Sequence, residues 1–334
     1  GNATALGTAG TVTVKSGGTL NIADGITLAA GTPISLYGTL RGTGTAGYAG
    51  PVTLEAASAR IDTPLAGDTL TLSAAMDGRG SLTKSGAGTL KLSGANSYTG
   101  STAINGGTVF LNSGSRLPDF TVVSLPGATS TLDLNGTSQH IGSLDGSGTI
   151  KLGAGTLGVT QNVDGTFSGT IMDGGNLTKD GPATLTLTGP SSYTGITTVD
   201  AGILSVASSG ALGTSNVTVT SGATLNIADS VALTSPSSIN LAGTGVTRSG
   251  ASVGALTGTG TASYSGNLVL SGVTGIGAAL GDTLTLGGSR SGAGSLTKLG
   301  DGTVVLGGSA SYAGGTTVDA GVLTAGNATA LGTA

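Results

Sequence analysis

Gly80–Gly100 reads GSLTKSGAGTLKLSGANSYTG and runs on into STAINGGTVFL at 101–111. Inside it, Thr89-Leu90-Lys91-Leu92 alternates polar and apolar residues with period two, the pattern of a strand with one face buried and one wet. Gly86-Ala87-Gly88 and Gly106-Gly107 punctuate the strands, at points where a chain that needs positive φ can turn without a Cβ penalty. The phrase returns as GNLTKDGPATLTLTGPSSYTG at Gly175–Gly195 and as GSLTKLGDGTVVLGGSASYAG at Gly294–Gly314, followed by ITTVDAGILSV and GTTVDAGVLTA. A strand-turn-strand phrase recurring at spacings of 95 and 119 residues marks a repeat architecture, in which each unit buries its apolar face on the next.

Shorter echoes precede the phrases: GTLRGTGTA from Gly38, GSLDGSGTI from Gly142 and GALTGTGTA from Gly254. GTLNIAD at 18–24 and ATLNIAD at 223–229 tie the first and last thirds together, while the middle third has STLDLNG at 130–136. The nonapeptide GNATALGTA at Gly1–Ala9 recurs unchanged at Gly326–Ala334. The pattern predicts one continuous β-solenoid super-unit, 1–325, of three degenerate repeats (about 1–112, 113–207 and 208–325), with 326–334 opening the next tandem copy. Ends that share a nonapeptide also predict head-to-tail stacking of separate chains.

Composition agrees with this reading and narrows function. Glycine supplies 65 of 334 residues, charged residues 8% and aromatics 3%, which suits neither an ordinary globular domain nor a helical bundle. Gly, Ser and Thr at these levels also describe flexible linkers, but TVTV at 11–14 and TLTL at 69–72, 184–187 and 283–286 keep the strand period. A net charge of −4 leaves no basic face to neutralise phosphates, so no nucleic acid partner is expected. Without a run of ~18 apolar residues, direct membrane insertion by this segment is not expected either. Cysteine is absent, which excludes disulfides and thiolate metal sites and suits passage through an oxidising compartment.

The repeated phrase resembles the passenger-associated transport repeat of bacterial autotransporters. The family's frame is Leu-Thr-Lys, Gly-x-Gly-Thr-Leu, a Tyr-Thr-Gly corner and an Ala-Gly-x-Leu end. It is met at Leu82, Thr83, Lys84, Gly86, Gly88, Thr89, Leu90, Tyr98, Thr99 and Gly100. The second copy keeps Leu177, Thr178, Lys179, Leu185, Tyr193, Thr194, Gly195, Ala201, Gly202 and Leu204, with Pro182-Ala183 in place of the glycine step; in the third, Ala313 follows Tyr312. The resemblance implies a right-handed parallel β-helix exported through a C-terminal membrane β-barrel and displayed on the bacterial cell surface. It implies a structural or adhesive role, with other copies of itself or host or neighbour cell-surface ligands as partners.

Backbone physics leads to the same all-β parallel solenoid, because strands stacked in register on the coil below satisfy their backbone groups along the axis. Coils of roughly 20 to 25 residues at ~4.8 Å rise would make a rod of about 70 Å. A β-sandwich or pair of barrels is the rival, since short strands with turn signals suit those as well.

Candidate chemistry is sparse. Lys84, Lys179 and Lys298 recur in register, as do Tyr98, Tyr193 and Tyr312; the lysines read as solvated gatekeepers at strand ends and the tyrosines as corner plugs. The single histidine, His140, has no nucleophile elbow or oriented carboxylate beside it and reads as a surface or turn residue. The fifteen Asp and Glu55 are mostly singletons, in turn contexts such as Asp77-Gly78, Asp145-Gly146 and Asp301-Gly302. Asp164, Asp173 and Asp180 form the closest acidic grouping, spaced too irregularly to share a face. No catalytic residue, metal ligand or cofactor is therefore expected. The leading function is a structural or adhesive surface rod. Thr-x-Thr triplets such as Thr11–Thr13, Thr43–Thr45, Thr184–Thr186 and Thr218–Thr220 raise the alternative of a glycan- or ice-binding face, and a polysaccharide-acting enzyme stands third.

Overall fold

The computed structural model describes residue 6 and residues 10–332. Apart from Leu6, the first nonapeptide, and with it the expected head-to-tail contact, lies outside the described residues. The fold is an all-β parallel solenoid: no helix occurs among the described residues, and short strands pair in parallel with strands about one coil away in sequence. Sandwiches and barrels of hairpins would pair neighbours antiparallel, so that rival falls. Two compact units divide the chain, Gly1–Gly158 and Val159–Ala334.

In the first unit the coils have three sides. One side stacks Val12–Val14, Ile34–Leu36, Val52–Leu54 and Met76–Gly78. A second runs through Thr19–Ile22, Thr39–Gly42, Arg60–Asp62, Leu82–Ser85, Thr102–Ile104, Val122–Leu125 and Ser143–Gly146. The third carries Thr45–Tyr48, Thr69–Leu72, Thr89–Leu92, Gly107–Leu111, Ser130–Asp133 and Thr149–Lys151. Alternation converts this register into ladders. On the third side Leu70, Leu90, Val109, Leu132 and Ile150 stack inward at 0% exposure, and Thr69, Thr89, Thr108, Thr131 and Thr149 stack outward. Each buried aliphatic rung contributes roughly 1.5–3 kcal/mol, so stability is spread evenly along the stack.

The second unit repeats the scheme. Thr184–Leu187, Gly202–Val206, Ala223–Ile227 and Leu256–Gly258 form one side. Asn176–Asp180, Thr197–Val199, Val217–Val219 and Ser238–Gly243 form another. Thr261–Tyr264, Thr283–Leu286, Thr303–Leu306 and Val322–Ala325 form a third. The long strand Asn267–Ala278 bends round a corner: its first half pairs with Ser238–Gly243 and its second with Leu256–Gly258 and Ser295–Leu299.

One coil departs from the rhythm. Leu204 pairs with Leu225 after an ordinary coil, but the next step of the same ladder, from Leu225 to Leu256, takes in a distinctly longer stretch of chain. The surplus forms a small antiparallel hairpin, Thr247–Arg248 against Ala251–Ser252. Buried Thr224 anchors its base, accepting the Val246 N–H at 3.0 Å and donating to the Gly254 carbonyl at 2.8 Å.

Candidate functional site

The recurring lysines are not solvated gatekeepers. Lys84, Lys179 and Lys298 are all 0% exposed. Their ammonium groups donate to three backbone carbonyls in one repeated geometry, those of the next two residues and of a residue on the following coil. Lys84 reaches Ser85, Gly86 and Gly106 at 2.7, 2.8 and 3.1 Å. Lys179 reaches Asp180, Gly181 and Ala201 at 2.8, 2.9 and 2.9 Å. Lys298 reaches Leu299, Gly300 and Ala320 at 2.9, 2.6 and 3.1 Å. The cause is the corner itself: where the strand stops, carbonyls of two successive coils converge inward and a three-donor cation bonds them together, although those of Ser85 and Asp180 also accept the N–H groups of Thr63 and Gln161.

Burial lowers the ammonium of Lys84 and of Lys179 from 10.5 to about 8, against the opposing pull of nearby carboxylates, and lowers Lys298 in the same direction. Unfolded lysines hold their protons to near 10.5. Between about pH 8 and 10 the unfolded chain therefore binds more protons, and stability should rise with pH by up to ~1.4 kcal/mol per unit per lysine. Above pH 10 the sign reverses, because burial pushes Tyr193 up to about 12 while the tyrosines of the unfolded chain ionise. Guanidinium midpoints at pH 7, 9, 10 and 11 should pass through a maximum near 10; a flat profile would mean that these lysines titrate as if in water.

The tyrosines do plug corners, and their hydroxyls find threonine. Tyr98, Tyr193 and Tyr312 are buried and bond the Oγ1 of Thr102, Thr197 and Thr316 at 2.6, 2.5 and 2.5 Å. Tyr193→Phe leaves the Thr197 hydroxyl without that bond and should cost about 1–2 kcal/mol, read as a lowered denaturation midpoint, with Tyr98→Phe costing as much.

The acids serve the backbone. Asp24, Asp68, Asp229 and Asp282 accept the N–H groups of Thr45, Gly44, Thr261 and Gly260 at 2.7, 2.7, 2.8 and 2.7 Å. Asp164 accepts from Thr184 and Asp180 from Gly181, both at 2.7 Å, while Asp173 sits at φ 83, so the three point to separate tasks. Asp77 and Asp145 lie within strands, each followed by a positive-φ glycine, and not in the turns expected of them. Glu55 accepts from Ser35 at 3.2 Å. His140 lies outward in the strand Gln139–Ile141, its ring 4.8 Å from that of Phe120. Among the described residues no group of three or more His, Asp and Glu is placed to hold a metal.

Thr11–Thr13 and Thr43–Thr45 belong to outward positions of the first unit, Thr184–Thr186 and Thr218–Thr220 to the second. The Thr69-to-Thr149 row is a single rank: beside it stand Thr71, Lys91, Phe110, Asp133 and Lys151, with the Lys91 ammonium 5.8 Å from the Phe110 ring centre. Charges and a ring beside the threonines make that side uneven.

The feature missed by reading motifs is a cleft of about 950 Å³ between the hairpin and the neighbouring side of the second unit. Strand Asn267–Ala278 presents Gly275 and Gly277 there, and the hairpin base lies on them: a Cβ on Gly277 would collide with the Val253 carbonyl. Ile203, Val253, Val273 and Leu299 give the cleft an aliphatic lining; Arg248 and the carboxylates of Asp301 and Asp319 stand in its walls. A signal for it existed in the sequence, in the surplus of residues between ATLNIAD and the echo at Gly254 compared with the first third.

The passenger-associated-transport-repeat family matches residues 82–109, 177–206 and 296–325, the segments that carry the lysine and tyrosine corners. Over 291 residues, 84% of the chain, the sequence is 36% identical to the adhesin BmaC autotransporter of Brucella suis biovar 1 (strain 1330). This chain is an autotransporter passenger segment built with such repeats. A second relative, named uncharacterized protein YuaQ, of Escherichia coli (strain K12), is 44% identical over 85 residues, 25% of the chain. The chain spans 8% and 6% of the lengths of these two relatives. No solved structure matches. Autotransporter passengers are secreted and displayed on the bacterial cell surface, and the segment is a repeat region similar to part of such an adhesin.

Proposed function

We propose that this segment acts as a rod-like spacer with an adhesive surface, engaging cell-surface ligands or other copies of itself, and without catalysis. The observation that carries the reading is the in-register parallel stack. It turns every outward rung into a row parallel to the axis and uses its recurring Lys, Tyr and Asp residues to hold coils together. Similarity to an adhesin over most of the chain supports it. Displayed on a non-aggregating bacterium, the segment should cause adhesion or autoaggregation; cells that behave as the empty display host would sink the adhesive part. A single stack at ~4.8 Å per coil predicts a rod of roughly 70 Å by small-angle X-ray scattering, and a compact particle would remove the spacer.

The tandem organisation, 1–325 followed by a new copy from 326, belongs to the same proposal. It is supported by the nonapeptide GNATALGTA, which stands at Gly1–Ala9 and again at Gly326–Ala334. In a protein of two joined copies, the backbone amides of 316–325 in the first copy should gain slow hydrogen exchange; equal exchange in both copies would contradict the array.

A further inference from the structure

The hairpin cleft takes no part in the corner chemistry, and the internal repeats serve as its control. In the first third, Leu20 pairs with Leu40, and the corner that leads into Leu40 consists of Tyr37-Gly38. The matching pair is Leu225 and Leu256, and there the single residue Tyr37 is replaced by the whole run 242–253, which carries the hairpin. Two further departures converge on the same place. Leu299 stands where the other copies have Ser85 and Asp180, and Asp301 where they have Ala87 and Pro182. The copy that carries the hairpin is thus also the copy whose facing corner has become aliphatic and acidic.

We infer that this cleft is a binding groove for an extended peptide that carries aliphatic side chains and a basic residue. Insertions into solenoid coils collect on one side, where ligands bind, and a cleft of this size with a few polar groups over an apolar lining is the ordinary form of a binding site. Ile203, Val253, Val273 and Leu299 match aliphatic side chains; no aromatic ring lines the cleft. The carboxylates of Asp301 and Asp319 and the guanidinium of Arg248 form no hydrogen bond or ion pair among the described residues. The two carboxylates are therefore open to a ligand ammonium or guanidinium, and Arg248 to its backbone carbonyls. The net charge of −4 steers a basic peptide inward. This deepens the adhesive reading and rests on it.

The test selects a random octapeptide phage library on the full chain, with two competitors run in parallel. One is a variant in which 242–253 is replaced by a single Tyr, as at Tyr37; the other is the double variant Asp301→Asn, Asp319→Asn, which removes no hydrogen bond among the described residues, its folding checked by its denaturation midpoint because Asp301 also favours the buried Lys298 ammonium. The full chain should enrich aliphatic and basic octapeptides that bind at least about tenfold more weakly to the double variant and more weakly as salt is raised. Three results overturn the groove: no enrichment over the hairpin replacement, equal binding by the double variant, or binding of a neutral oligosaccharide panel that Leu299→Ser abolishes. Should the hairpin replacement not fold, the double variant decides. Displayed cells that adhere although no peptide is enriched sink the groove and leave the adhesive reading standing. Peptide binding without adhesion does the reverse.

Discussion

Lys179→Met should lower the stability of the folded chain by about 2 kcal/mol, with Lys84→Met close behind. Met matches the length of the lysine stem, so the packing of the methylenes is nearly preserved and the change isolates the ammonium. Its loss strands the carbonyls of Gly181 and Ala201, each held at 2.9 Å, and takes one of two donors from the Asp180 carbonyl, which keeps the Gln161 N–H at 2.8 Å. A buried carbonyl left without a donor costs about 1–3 kcal/mol, so two of them, with the weakened third, place the penalty at roughly 3–7. Against this stands the relief of an ammonium that burial has driven from 10.5 to about 8, worth roughly 3 kcal/mol near neutral pH. The donors win, and a net loss of about 2 kcal/mol remains. A second signature separates a cap from a merely tolerated charge: one lysine's share of the stability rise between pH 8 and 10 should vanish with the substitution. An unchanged or raised guanidinium midpoint for Lys179→Met would show that desolvation outweighs the three bonds.

That lysine also marks the boundary of what could be read from sequence. In Leu177-Thr178-Lys179 the period-two phase puts Lys179 on the same side as Leu177, which is inward, and both are 0% exposed. The phase was legible; the residue type argued the other way, because lysine is rarely buried unless its charge finds partners. The partners are backbone carbonyls of a turn one coil away, and no residue identity announces those. Strands and corner glycines were readable for the opposite reason, since alternation and positive φ are local demands that side chains advertise. The acids fell between: turn duty was legible for Asp24 or Asp68, but the N–H each accepts, on Thr45 or Gly44, belongs to another coil and appears only once the register is known. The hairpin cleft needs the most context. Leu299, Asp301 and Arg248 look unremarkable one at a time, and only the pairing of Leu225 with Leu256 brings them to one place.

Gly202→Ala should be a costly single-methyl change, at about 2–5 kcal/mol, and should exceed Gly222→Ala by at least about 1. Gly107, Gly202 and Gly321 occupy one position of the repeat at φ 64, 63 and 67, so an alanine there carries about 1–2 kcal/mol of left-handed strain. Gly222, at φ 89 with open space around it, has that strain alone. At Gly202 a methyl would also collide with the Gly181 carbonyl and lie 2.8 Å from the Ala183 carbonyl. Neither can retreat freely, because Gly181 is one of the three acceptors of Lys179 and the next residue's strand continues the ladder. Overpacking against a fixed backbone adds roughly 1–3 kcal/mol. The shared acceptor makes the two largest effects dependent on each other. Once Lys179→Met has released Gly181, the corner can relax around the methyl, and the double variant should lose at least ~1 kcal/mol less than the two single losses together. Strict additivity in that cycle would mean that lysine and glycine shape the corner independently, and that the repeat frame is two separate requirements of the fold instead of one.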